Sequence, residues 1–306
     1  MIWEKRGLIY CPQGENSWKN QFAMLPTPIL LGDFLRIYIG ICDKNNVGRI
    51  GYVDVAPENP SNILKISDTP VLDIGTNGCF DDNGVVPISI LKKNEKIYLY
   101  YIGFQLGVKV PYYMFCGLAI SDDNGETFQR YSKAPILDRC EDELFARCGV
   151  NVLEDDGKYK MWYVGSYESG WTMSGGKEKP LYIMKYIESC DGIQWHSKSV
   201  QCIKFKNDDE HGFGRPFVWK EDNLYKMLYS IRTYSRGYYI GYAESNNGVD
   251  WNRKDDEAGI DLSESGWDSV NLSYTYIYKY MDKIYLFYNG NGCGKSGFGY
   301  AQFVER

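Results

Sequence analysis

The segment YKMWY (159–163) has four relatives in the same chain: LRIYI (35–39), IYLYY (97–101), YKMLY (225–229) and IYLFY (284–288). Successive copies start 62, 62, 66 and 59 residues apart. Every copy is rich in β-branched or aromatic residues and too short for a helix. Apolar residues occupy both faces, so both faces are expected to be buried. A polar turn precedes each copy: LGD, KKNE, EDDG, KEDN and KYMDK. Each copy therefore reads as the second strand of a hairpin.

A second element also recurs five times, as RIGYVDV (49–55), CGLAISD (116–122), MKYIESC (184–190), IGYAESN (240–246) and FGYAQF (298–303). A third follows three of these: DNGETFQR, CDGIQWHS and NNGVDWNR, with Phe128, Trp195 and Trp251 in one place. The first of these turns fits the Asp-box pattern Ser-x-Asp-x-Gly-x-Thr-Phe at Ser121 to Phe128. It reads as scaffold on an outer rim, with Asp123 capping the turn, Gly125 permitting it and Phe128 anchoring the outer strand.

The repeating unit is thus four strands in about 60 residues, and four-stranded sheets repeated radially make a β-propeller. The expected fold is all-β, a five-bladed propeller forming one domain over residues 1–306. The last blade lacks a fourth strand at its C-terminal end. IWEKRGLIY at the N-terminus supplies one, with Trp3 where other blades have Phe128, Trp195 and Trp251. The first strand is therefore expected to close the last blade.

Composition agrees with a large soluble all-β unit: 44% hydrophobic, 24% charged, 27 Tyr, 8 Trp and 32 Gly. A net charge of −6 argues against a nucleic-acid partner, which needs a basic face. No apolar run approaches the ~18 residues of a membrane span. The N-terminus has no apolar signal region, and the nine cysteines form no CxxC pair, so a cytoplasmic protein with reduced thiols is expected. GNGCGKSG (290–297) has the wrong spacing for a phosphate loop and reads as a glycine-rich turn.

In a propeller the innermost strands line a central channel. Counting back 15 or 16 residues from each core segment locates the loops that enter them. Asp81 with Asp82, Glu143, Glu210 and Asp268 fall at this place in four blades; the first blade has Lys19 and Asn20. Asp82, Glu143, Glu210 and Asp268 are the candidate catalytic carboxylates, expected to converge on one channel mouth. Asp43, Asp81, Arg147, His211, Arg215, Asn271 and Tyr274 are candidate substrate-binding residues. Facing carboxylates suit glycoside chemistry, in which one protonates the departing oxygen and the other acts as nucleophile or activates water. Arginines and aromatic faces suit the acid groups, hydroxyls and apolar side of a sugar. No metal-ligand spacing occurs and no cofactor is expected, although an acid-lined channel is also a place for calcium.

PTPILLGDFLRIYIGICD (26–43), FDDNGVVPISIL (80–91), GRPFVWKEDNLYKMLYS (214–230), GWDS (266–269) and YLFYNGNGCGKSGFGYA (285–301) carry a family resemblance. With the five blade cores, they resemble the five-bladed propeller glycosidases of families 32, 43, 68, 117 and 130. Within these the sequence looks most similar to cytoplasmic glycosidase-like propellers of bacterial surface-polysaccharide gene clusters. The resemblance implies action on a sugar or nucleotide-sugar. The family's acidic motifs are replaced, however. FAMLPTPIL has no acid before Asp33, GVVPIS stands where Arg-Asp-Pro is common, and RCGVN lacks the inner-strand Glu. A hydrolase would have to use the strand-entrance acids instead. A non-catalytic glycan-binding or scaffold propeller, and a phosphorylase using Arg147, Arg215 and His211, are the alternatives. A sialidase would need six blades.

Overall fold

The computed structural model describes residues 1–174, 176–196 and 198–304. Strand β1 (Trp3–Tyr10) comes first. Next come β2 (Gln21–Leu31), β3 (Phe34–Cys42), β4 (Gly48–Ala56) and β5 (Asn59–Ile66), a four-stranded antiparallel sheet in sequence order. The pattern repeats in β6 (Val85–Lys93), β7 (Lys96–Leu106), β8 (Tyr112–Ser121) and β9 (Gln129–Arg130). It repeats again in β10 (Ala146–Asp155), β11 (Lys158–Ser174), β12 (Lys177–Ser189) and β13 (Val200–Ile203). The fourth quartet is β14 (Glu210–Glu221), β15 (Leu224–Thr233), β16 (Gly237–Ser245) and β17 (Asn252–Arg253). Finally β18 (Ser273–Tyr280), β19 (Lys283–Asn289) and β20 (Phe298–Phe303) join β1 in the order β1-β20-β19-β18.

The pairing of β1 with β20 is antiparallel and sets Trp3 opposite Phe303. Short parallel contacts, Ala146 and Arg147 with Met114 and Phe115, and Tyr182 with Gly212, link the middle three quartets. Each first strand touches the first strand of the next quartet, and β18 touches β2.

Turn chemistry sets the hairpins. Asn94-Glu95 and Asp222-Asn223 place two successive residues at positive φ, and Asp156-Gly157 does the same. That is the backbone whose twist matches two antiparallel strands. Each second strand is then buried on both faces, as the apolar segments require; Leu35, Ile37, Tyr38, Ile39 and Ile41 are all fully buried. Four of the five apolar clusters draw on two neighbouring quartets, and the fifth joins Leu25 of the first quartet to the second and third. One joins Tyr38 and Tyr52 to Phe80 and Tyr101, and another joins Tyr285 and Phe287 to Leu35 and Ile37. The sheets therefore stack face to face, and no quartet has a core of its own.

The Asp-box turns lie between the third and fourth strands, as the sequence implies, and they also join neighbouring quartets. Ser121 Oγ donates to Asp123 (2.6 Å) and accepts from Gly125 N (2.8 Å), while Thr127 N and Oγ1 donate to Asp123. The turn so held presents the Gly125 carbonyl to the Tyr38 hydroxyl of the preceding quartet (2.7 Å). The next two interfaces repeat this, with Tyr100 donating to the Gly192 carbonyl (2.8 Å) and Trp162 Nε1 to the Gly248 carbonyl (2.6 Å). Tyr38, Tyr100 and Trp162 occupy the fourth place of their core segments. Where the fourth quartet has Leu228, the contact runs the other way: Trp3 Nε1 donates to the Ala258 carbonyl (3.0 Å), and Trp3 packs with Leu228.

Two outcomes follow. Trp3→Ala removes the ring that fills the interface of the last two quartets. It should cost about 3–5 kcal/mol, read as a lower urea midpoint; an unchanged midpoint would contradict a stabilising role for Trp3 at this interface. The Asp123 carboxyl is pushed up by burial, but hydrogen bonds from Ser121 and Thr127 outweigh this and bring its pKa down to about 2. With an unfolded value of ~3.9, its stabilisation is complete above that value and is lost as pH falls towards 2. Asp123→Asn should therefore be less stable than the parent at neutral pH, with the gap closing on acidification. A gap independent of pH would contradict this.

Candidate functional site

The first strands of all five quartets line one cavity of about 120 Å³. Met24 and Leu25 come from β2, Val86 and Ile88 from β6, Cys148 and Gly149 from β10, Phe213, Gly214 and Arg215 from β14, and Tyr274 from β18. Tyr182 and Tyr238 flank it from β12 and β16. An adjoining hollow of about 290 Å³ shares Met24, Val86 and Phe104. Larger depressions of about 370 and 470 Å³ lie elsewhere: one follows β16 into the 255–262 loop, the other runs between β13 and β17.

Each of these five strands is irregular at cavity level. The pairing register shifts between Met24 and Thr27, Pro87 and Ser89, Cys148 and Asn151, Gly214 and Phe217, and Ser273 and Tyr276. Leu25 (φ 57°), Arg215 (φ 23°) and Tyr274 (φ 59°) are left at positive φ. Non-glycine residues held there cost of order 1–3 kcal/mol each, and such strain clusters at functional sites. Bulges re-aim side chains, which is how Arg215 and Tyr274 both come to line the cavity.

Arg215 is the charged group of the lining. Nη2 donates to Thr27 Oγ1 (2.8 Å) and the Ile88 carbonyl (3.1 Å), Nη1 donates to the Tyr274 carbonyl (3.4 Å), and the Tyr276 ring lies 5.1 Å away. No carboxylate pairs with it among the described residues. Burial pushes its pKa down to about 9. Among the described residues no Asp or Glu lines this cavity.

The predicted carboxylates recur at the strand entrances, as expected from the sequence, but their side chains turn into the sheets. Asp81, not Asp82, holds the equivalent place in the second quartet. It is fully buried and accepts from Tyr101 (2.9 Å) and Arg130 (2.7 Å). Glu143 is fully buried against Tyr163 (2.8 Å), Lys185 (3.1 Å) and Arg147 (3.3 Å). Glu210 takes a two-pronged pair from Arg253 (2.7 and 2.8 Å), beside Asp255, which accepts from Tyr229. Asp268 accepts from Tyr288 (3.0 Å) and Lys5 (2.7 Å). Asp82, partly exposed, accepts from Gly78 N (2.8 Å). Glu143 fits because position 165 is glycine; a Cβ there would clash with its carboxylate.

These are acid–tyrosine–cation sets, one in each quartet but the first; in the fourth the tyrosine joins through Asp255. Tyr101, Tyr163, Tyr229 and Tyr288 stand fifth in the four core segments that have the acid, and Ile39 stands fifth in the one without it. There Lys19 takes the acid's place and donates to the Ser67 carbonyl (3.0 Å).

Among the other predicted residues, Asp43 holds its own turn through Asn45 N and Val47 N and pairs with Arg49 (3.1 Å). Arg147 is bound to Glu143 and to the Asp138 carbonyl (2.7 Å). The buried Asn271 Oδ1 has no partner among the described residues. Buried His211 stacks on Tyr234 (4.5 Å) and hydrogen-bonds the Pro180 carbonyl, with Nδ1 unpartnered. Burial, and then the nearby Arg232, push its pKa down to about 4. So the cavity gathers Arg215 and Tyr274 but none of the four acids, and it is not an acid-lined place for calcium. Among the described residues no cluster of three metal-ligating side chains forms.

Sequence reasoning missed Arg232, Tyr112, Tyr182 and Tyr238. Arg232 lies between the rings of Tyr182 (5.1 Å) and Tyr238 (5.2 Å), and the Tyr112 and Tyr182 hydroxyls meet at 2.9 Å. A signal existed: seven residues past each core start stand Cys42, Phe104, Ser166, Arg232 and Asn291, so only the fourth repeat has a charge.

Replacing a buried acid by its amide leaves its cations unpaired, which costs about 3–5 kcal/mol. Glu143→Gln and Glu210→Gln should lose stability on that scale in denaturant titrations. Full stability in both would show that these acids are spare for chemistry.

No protein-family model matches the sequence. The uncharacterized protein Rv1502 of Mycobacterium tuberculosis H37Rv is 34% identical over 302 residues, covering 98% of this protein and 99% of that one. Among solved structures, the BT0996 RGII complex superposes with a TM-score of 0.78 at 18% identity, over 99% of this protein and 92% of that one. A thermostable family-43 glycoside hydrolase superposes at 0.70 and 17% identity, over 95% and 93%. The fold is all-β and similar to that of β-propeller glycosidases, among them structures of families 32 and 130.

Proposed function

This protein belongs to the family of the mycobacterial protein Rv1502, and on that footing we propose that it is a sugar-binding propeller that does not hydrolyse its ligand. In this reading the five quartets are five blades around the cavity, and β1 closes the last blade. The contact of β18 with β2 and the pairing of β1 with β20 support both points. The ligand is a sugar or nucleotide-sugar of surface-polysaccharide metabolism, met in the cytoplasm. The glycosidase fold supports the sugar, and nine free cysteines suit a reducing compartment.

The absence of any carboxylate among the described residues of the cavity lining carries the proposal. Glycoside hydrolysis needs two carboxyls flanking the bond, about 5–9.5 Å apart. Met24, Val86, Cys148 and Gly149 offer neither an acid nor a base. Tyr182, Tyr238, Tyr274 and Phe104 offer aromatic surface for the apolar side of a sugar ring and hydroxyls for its edge. A hydrolase built on Asp82, Glu143, Glu210 and Asp268 is the second reading. Only Asp82 favours it, because it alone of the four is partly exposed.

Calorimetry against a panel of sugars and nucleotide-sugars, with product analysis of the same mixtures after long incubation, separates the two. Saturable binding with ligand recovered intact is expected. Sugar release that Asp82→Asn abolishes would overturn the proposal and restore the hydrolase.

A further inference from the structure

Arg232 is mostly buried, yet no acid, carbonyl or hydroxyl pairs with its guanidinium among the described residues. Every other arginine with a side chain this enclosed has partners: Arg36 has Asp54, Arg147 has Glu143, and Arg253 has Glu210. Arg215 has carbonyl and hydroxyl partners but no counter-charge. Both arginines adjoin the same tyrosine pair. Arg232 lies against the Tyr238 ring, Tyr238 meets the Tyr274 hydroxyl (3.4 Å), and the Tyr274 carbonyl accepts from Arg215.

Nearby charges do not neutralise Arg232. Lys179 lies over the Tyr234 ring (5.3 Å) and adds positive charge. His211 is neutral above its depressed pKa of about 4. Asp209 is turned to Ser235, whose N and Oγ donate to it. A guanidinium taken out of water without a counter-charge is unfavourable. Its planar donor edge matches the two oxygens of a carboxylate or phosphate.

We infer that the cavity takes a sugar bearing an oxyanion, a uronate carboxylate or a phosphate ester, with Arg215 in the lining and Arg232 beside it, against the lining rings of Tyr182 and Tyr238. The inference rests on the sugar-binding reading and names the ligand's charged group. The guanidinium is held over the rings of Tyr182 and Tyr238, while the Tyr182 hydroxyl meets Tyr112 and the Tyr238 hydroxyl meets Tyr274.

The test is calorimetry at low salt with glucuronate, glucose 1-phosphate, glucose and inorganic phosphate, on the parent, Arg232→Gln and Arg232→Lys. The parent should bind a charged sugar at least about tenfold more tightly than glucose. Arg232→Gln should erase that preference and Arg232→Lys keep part of it. Whether glucuronate or glucose 1-phosphate binds more tightly tells which oxyanion is meant. Circular dichroism reports whether each variant is folded. If Arg232→Gln is not, the parent's affinity must still weaken as salt is raised. Glucose binding as tightly as the charged sugars would overturn the inference and leave the sugar-binding reading intact. Phosphate binding as tightly as glucose 1-phosphate, with glucose and glucuronate unbound, would overturn the sugar-binding reading. Binding of none of the four would overturn both.

Discussion

One hydrogen bond, made three times, sets how the sheets face each other. An aromatic donor at the fourth place of a core segment reaches the glycine carbonyl of the next quartet's Asp-box turn. The donor is buried and comes from a strand packed on both faces, so the turn can satisfy it in one position only. The serine and acid or amide of the box hold the turn rigid, and the glycine lets the backbone approach. The contact lies on the rim, yet it sets the spacing of everything further in. Trp3 takes over where Leu228 has no donor, so the N-terminal strand is part of the same scheme.

With the sheets so fixed, their first strands converge, and each departs from regular pairing where they meet. Those irregularities turn Arg215 and Tyr274 to the cavity. The entrance acids point elsewhere, because tyrosines and cations of their own quartets bind them. Two classes of charge result. Acids are neutralised inside the sheets, and Arg215 and Arg232 remain without counter-charge around the cavity. A fold shared with hydrolases thus carries a site with the electrostatic sign of an anion binder.

The strand order and the hairpins were legible because their signals are local: a recurring apolar segment, a turn before it and an aromatic after it. The place of β1 beside β20 was legible for the same reason, since Trp3 repeats the place of Trp195 and Trp251. The site was less so. Counting back from the core finds the entrance but not the direction of a side chain, and one residue of register reverses it. That is why Asp81 rather than Asp82 sits in the pair with Arg130. The co-occurrence of each acid with a tyrosine fifth in the core, and the loss of both in the first repeat, marked the acids as structural. Arg232 lay outside the innermost strands, so a channel-based count passed over it.

The most direct measurement is a crystal structure of the protein with glucose 1-phosphate bound. The account predicts the sugar in the central cavity, its phosphate against Arg232 and its ring beside Tyr182 and Tyr238, with Asp81, Glu143, Glu210 and Asp268 still in their pairs. A ligand held by those acids, or seated in a rim depression with the cavity empty, would contradict it.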